Sequence, residues 1–105
     1  MNERVLELKA EILKALAQPT RLKILELLQN GEKCICEIVP ALNGEQSNIS
    51  RHISLMQKNN LVTTRKHGVK VMVKVKDPRV FEVLDSISTI LKNRMSEQNK
   101  LIRAL

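Results

Sequence analysis

Val5, Leu8, Ile12 and Leu16 recur every three or four positions, the spacing of one apolar helix face, and predict an amphipathic helix up to about Ala17. Pro19 suits a first helical position, and Leu22, Leu25 and Leu28 continue as a second helix. Asn30-Gly31 ends it, because both residues tolerate left-handed backbone. A short third helix fits Cys34–Leu42, with Pro40 near its end; Asn43-Gly44 makes a turn, and a fourth helix fits about Glu45–Asn59. The period then changes to two. Val69, Val71, Val73 and Val75 alternate with Lys70, Met72, Lys74 and Lys76, a β-branched strand pattern. Leu61–Lys66 supplies the antiparallel partner, with His67-Gly68 at the tip. Asp77-Pro78 opens a last helix, Asp as N-cap and Pro just inside. Its apolar positions Val80, Leu84, Ile87, Leu91, Met95, Ile102 and Leu105 follow a nearly seven-residue repeat. The expected class is mainly α with a small β-hairpin, in the order α-α-α-α-β-β-α.

A chain of 105 residues is one domain's worth, so residues 1–105 are read as a single unit. With 43% hydrophobic and 28% charged residues the composition is that of a globular protein rather than a disordered one. Phe81 is the only aromatic, which disfavours single-strand binding by base stacking. The 18 Lys and Arg outnumber the 11 Asp and Glu, and the resulting +7 points to a polyanionic partner, most simply nucleic acid. No apolar run approaches the ~20 residues of a membrane span, and Met1–Arg4 leads straight into the first amphipathic pattern, so the expected setting is the cytoplasm, with reduced thiols and no membrane contact.

A short helix, a tight turn and a second helix form the unit that lays a recognition helix across the major groove. Here that pair is Cys34–Leu42 and Glu45–Asn59. On the second helix Ile49, Ile53 and Met56 fall within about 60° of one another and face the core. Ser47, Arg51, Ser54 and Lys58 lie opposite, and Gln46, Ser47, Asn48, Ser50 and Arg51 occupy the turns that meet DNA. Arg reads guanine bidentately, Asn and Gln read adenine, and Ser reaches phosphate or base. His52, beside the core arc, is read as a half-buried structural residue. The hairpin adds Arg65, Lys66, His67, Lys70, Lys74 and Lys76, the residues of a wing that lies on adjacent phosphates. Either feature has a plain alternative: a polar helix face is commonly just solvated, and lysines protect edge strands from pairing.

Lys14-Ala15-Leu16-Ala17-Gln18-Pro19-Thr20-Arg21-Leu22-Lys23-Ile24-Leu25 resembles the opening signature of the ArsR/SmtB transcriptional repressors. Gln46-Ser47-Asn48-Ile49-Ser50-Arg51-His52-Ile53 resembles their recognition helix, and Asn60-Leu61-Val62 their Gly-Leu-Val exit, with Asn supplying the positive φ. Gln18 replaces the usual Asp or Ser, so a weakened cap is expected there. The resemblance spans roughly residues 10–80. It implies a homodimeric winged helix-turn-helix repressor, paired through its first and last helices, that an effector releases from double-stranded operator DNA.

Cys34-Ile35-Cys36-Glu37-Ile38 resembles the family's metal-binding motif on the third helix. Two thiolates suit As(III), Sb(III), Cd(II), Pb(II) or Zn(II) as effector, none of them an obligatory cofactor. On a regular helix, positions i and i+2 point ~200° apart, so joint ligation or disulfide formation requires distortion. The third cysteine of many arsenic sensors is Val39 here, residues 1–33 hold no cysteine, and the last helix has Asp85 but no His. A terminal-helix metal site is therefore not expected. The alternatives are a thiol-redox switch, a buried structural pair, and, in another class, a small thiol oxidoreductase. The last lacks Cys-x-x-Cys spacing and a placed acid–base partner.

Overall fold

In the computed structural model, which describes residues 1–105, the first helix begins where the Asn2 side chain accepts the Val5 amide at 3.2 Å. Helix α1 spans Glu3–Leu16, and Gln18 starts α2 (Pro19–Leu27). The Gln18 carboxamide oxygen accepts the Arg21 N–H at 3.0 Å, so the weakened cap expected there is corrected: the longer side chain reaches the same orphan donor. The helix tightens into a 3-10 turn at Leu28–Asn30, and Gly31, at φ 129°, turns the chain away.

The next segment departs from expectation. Lys33–Cys34 is a short strand, β1, and α3 spans Ile35–Ala41, so Cys34 is the extended N-cap of α3 rather than a helical residue. Two residues are too few to carry a period, and only pairing to a strand far along the chain reveals them. Asn43, at φ 50°, and Gly44 lead to α4, Gln46–Lys58. Asn60 leaves α4 at φ 61°, the role expected of it.

Strands β2 (Val62–His67) and β3 (Lys70–Val75) pair antiparallel from Val62↔Val75 to His67↔Lys70 around Gly68 at φ 63°. β1 joins the other edge of β3 through Lys33↔Val73 and Cys34↔Met72, which makes a three-stranded sheet of order β1-β3-β2 instead of a bare hairpin. Helix α5 runs Arg79–Ala104. Its start is also corrected: Pro78 holds the cap position, and Asp77 accepts the Arg79 N–H at 3.0 Å from one residue further back.

The core is built from α1–α4 and the sheet: Ala15 and Leu16, Ile24 and Leu25, Ile38, and the arc Ile49, Ile53 and Met56 meet Leu28, Leu61, Val62 and Val73. It contains no polar side chain. Helix α5 buries no residue; only Val80, Phe81 and Leu84 near its start pack on the core. The chain is therefore drawn out, 60 × 39 × 22 Å, with a radius of gyration of 16.9 Å against about 13 Å for a compact chain of this length. No helix is long and apolar enough to cross a membrane.

Gly44 packs where only hydrogen fits: a Cβ there would lie 3.0 Å from Cγ1 and Cδ1 of Ile49. Gly44→Ala should cost about 1–3 kcal/mol by overpacking. Ile49→Val removes Cδ1 and should cost less in the Gly44→Ala background than in the wild type. Urea denaturation of the four-member cycle measures the difference, and strict additivity would contradict the contact.

Candidate nucleic-acid interface

Burying Ile49, Ile53 and Met56 fixes the rotation of α4, and its opposite side is left to solvent. Ser47, Arg51, Ser54 and Lys58 are exposed there, and Gln46 is exposed as the first residue of the helix, in line with Ile49 and Ile53. Asn48 and Ser50 are half-buried on its flanks, and Arg51 Nη2 donates to Asn48 Oδ1 at 3.0 Å, so the two long polar groups at the centre restrain one another. A planar guanidinium held at a helix surface, with most of its donors free, has the chemistry to bind a guanine edge or a phosphate.

His52 is half-buried, in keeping with the structural role expected for it. Arg21 Nε donates to its Nδ1 at 3.2 Å, and Arg21 Nη1 donates to the carbonyls of Lys14 and Ala15, both at 3.3 Å. One guanidinium thus ties α1, α2 and α4 together. The sequence held no local sign of this, because the paired residues are 31 positions apart.

Strand alternation sorts the wing residues onto two faces. Val62, Thr64 and Lys66 share the side of Val71, Val73 and Val75, and Thr64 Oγ1 meets the Gln57 side chain of α4 at 3.1 Å. Lys66 is the next step outward on this side. Arg65, His67, Lys70 and Lys74 share the other face. All of the tip residues expected to face DNA are exposed, but Arg65 is not free. Its Nε and Nη2 donate to the Glu32 carboxylate at 2.9 and 2.6 Å. That hydrogen bond, with the positive charges of Arg65 itself and of nearby Lys74, holds the Glu32 carboxyl below its ordinary range. Glu32 was missed by pattern reading because its partner lies 33 residues away on a non-adjacent strand.

Cys34 and Cys36 are joined by a disulfide bond, where reduced thiols were expected. The distortion thought necessary is absent for a simple reason: Cys34 is on extended backbone (φ −73°, ψ 145°), which brings its sulfur to the first turn of α3. The Cys34 sulfur accepts the Cys36 N–H at 3.0 Å, and Glu37 Oε1 accepts the Cys34 N–H at 3.1 Å, a capping box with sulfur in the hydroxyl's place. Cys34 is buried and Cys36 is exposed. No cluster of three His, Cys, Asp or Glu side chains is arranged to hold a metal ion.

A recognition helix braced by a short capped helix, followed by a basic wing, defines a winged helix-turn-helix DNA-binding regulator. Residues 18–64 match the family described as bacterial regulatory protein, arsR family. The chain is 39% identical over 85 residues to an uncharacterized HTH-type transcriptional regulator of Methanocaldococcus jannaschii, an alignment covering 80% of this chain and 96% of that one. It is 34% identical over 79 residues to the arsenical resistance operon repressor of Staphylococcus aureus, covering 75% of this chain and 76% of the repressor. The crystal structure of Mycobacterium tuberculosis Rv0081 superposes with a TM-score of 0.82 at 28% identity, over 92% of this chain and 98% of that one. The chain belongs to the ArsR family of DNA-binding transcriptional regulators. Its relatives are regulators rather than enzymes, which removes the oxidoreductase alternative.

The Arg21–His52 contact has a pH signature. Burial, then the charges of Arg21 and Arg51, lower the His52 pKa below its ordinary value. A base depressed in the folded state gives stability that is complete above the unfolded pKa of about 6.5 and is lost as pH falls through the folded value. Thermal melts should therefore show the wild type losing more stability between pH 7.5 and 5 than His52→Asn, whose carboxamide oxygen replaces Nδ1 as acceptor without titrating. Equal losses would assign the acid sensitivity elsewhere.

Proposed function

We propose that the chain is a homodimeric repressor that binds double-stranded operator DNA through α4 and the wing, in the cytoplasm, and is released by a thiophilic metalloid or metal at Cys34 and Cys36. One observation carries the DNA reading: the packed arc of α4 turns Ser47, Arg51, Ser54 and Lys58 outward on the helix that the basic wing adjoins. Arg51, Gln46 and Asn48 are assigned to base edges. Ser47, Ser50, Ser54, Arg65, Lys66, His67 and Lys70 are assigned mainly to phosphates, which set register without reading sequence.

Dimerisation is inferred from α5 and α1. Val83, Ile87, Ile90, Leu91 and Met95 on α5, and Leu8, Ile12 and Leu13 on α1, are all more than two-fifths exposed. A cleft of about 420 Å³ runs between these helices, walled by Leu8, Ile12, Leu13, Val80 and Val83. A 26-residue helix that packs on its own domain only through Val80, Phe81 and Leu84 leaves the rest of its apolar seam in need of another surface. A second copy supplies it and sets two recognition helices ~34–36 Å apart, one turn of DNA. A structural neighbour from Mycobacterium bovis, which shares the fold, is described as homodimeric.

Effector binding is inferred from the sulfur pair and from the name of the Staphylococcus aureus relative. Once reduced, Cys34 and Cys36 offer two soft thiolates at the start of α3, the helix that braces α4. A water, an exogenous thiol or the partner subunit must complete the coordination, since no third ligand is clustered there. A thiol-redox switch is the second reading, favoured by the disulfide itself.

Sedimentation should show a dimer that Leu91→Glu dissociates. Titrations should show duplex binding that weakens steeply with salt as counterions are released. Arg51→Ala should cost about 1–3 kcal/mol on the preferred site and relax specificity, whereas Lys66→Ala should weaken all duplexes alike and flatten the salt slope by about one. Under reducing conditions As(III) should lower operator affinity, and each Cys→Ser variant should bind DNA without responding. Unchanged affinity at saturating As(III) would remove the metal reading.

A further inference from the structure

We infer that Glu32 is the positioning residue that ties the state of the Cys34–Cys36 pair to the wing, through its ion pair with Arg65. The inference rests on the proposed control of DNA binding by these cysteines.

Three observations place the pair on that route. First, register sets Cys34, Met72 and Arg65 directly opposite one another across β1, β3 and β2, so they form one cross-strand row. Second, Glu32 lies just before β1 and reaches past the central strand to Arg65, on the far strand of the sheet. Both of its carboxylate oxygens are used, at 2.9 and 2.6 Å. Third, β1 is only two residues long, so its own ladder to β3 is a weak tether, and the bidentate pair is the contact that fastens this segment to β2.

The same segment is also anchored at its other end by the cysteines. Cys34 holds the ladder position opposite Met72, caps α3 and bonds to Cys36. Opening the disulfide takes two electrons and two protons from a dithiol reductant, which leaves as its own disulfide, and Cys36 is exposed to attack. The sulfur is then free to leave the Cys36 N–H or to take a soft ion, and either change moves the Cys34 backbone. Glu32, two residues upstream, moves with it and carries Arg65 and the strand that ends at the wing tip. An exposed bidentate pair is a modest link, so the route can carry at most about a five-fold change in affinity.

The test compares operator affinity in three states of the full-length protein: oxidised, reduced with a dithiol, and reduced with As(III). The readout is the ratio between states, in which any uniform effect of a substitution on DNA binding cancels. Glu32→Gln should leave thiol titration and As(III) stoichiometry unchanged and shrink the wild-type ratio two- to five-fold. The exchanged pair, Glu32→Arg with Arg65→Glu, should restore the ratio although it lowers absolute affinity. That rescue separates coupling from mere loss of charge, and it decides the matter if Glu32→Gln folds poorly. A full wild-type ratio in Glu32→Gln, or no rescue by the exchanged pair, overturns the inference alone. No dependence on cysteine state in the wild type overturns control by the cysteines and this inference with it.

Discussion

The burial of Ile49, Ile53 and Met56 is the constraint on which the rest of the molecule depends. These side chains lock α4 onto Ile24, Leu25 and Ile38, in a core with no polar side chain to loosen it. A helix fixed in rotation by one face has no freedom left on the other. The outward aim of Ser47, Arg51, Ser54 and Lys58 is therefore a consequence of packing, and the exposed face is prepared before DNA arrives. Gly44 sharpens the constraint, since the turn before α4 closes directly onto Ile49.

Cys34 does two incompatible-looking tasks from one position. As the end of β1 it needs extended backbone, and as the N-cap of α3 it needs extended backbone as well, so both are met by a single conformation. Its sulfur then lies on the first turn of the helix that supports α4. In the proposed control, chemistry at that sulfur would act on the brace of the recognition helix through α3 and on the wing through β1 and Glu32. A site that met only one of these elements would have less leverage over DNA binding.

Helix α5 packs on the core of its own chain only near its start, through Val80, Phe81 and Leu84, and exposes a long apolar seam beyond it. Together with the α1 face it makes an apolar surface that water opposes, the surface assigned to a second copy in the proposed dimer. In that dimer the net charge of +7 would be doubled, which would strengthen attraction to DNA without any added contact.

Local sequence determined the five helices, the hairpin and the apolar arc of α4, through periodicity and the Pro, Gly and Asn positions that punctuate it, and the family resemblance supplied the positive φ at Asn60. The exposed face of α4 followed from that arc, and so did the half-buried place of His52. Tertiary structure decided the rest. β1 is too short to show a pattern, so Cys34 was read as helical and the sulfurs as divergent; its extended backbone, imposed by pairing with Met72, brings them together. The Gln18 cap depended on the reach of one side chain to the Arg21 amide. Arg21–His52 and Glu32–Arg65 join residues 31 and 33 positions apart, and only the folded chain brings such partners within hydrogen-bonding range. Local sequence sets which side of an element is apolar, but which distant group a charged side chain meets is settled by how the elements pack.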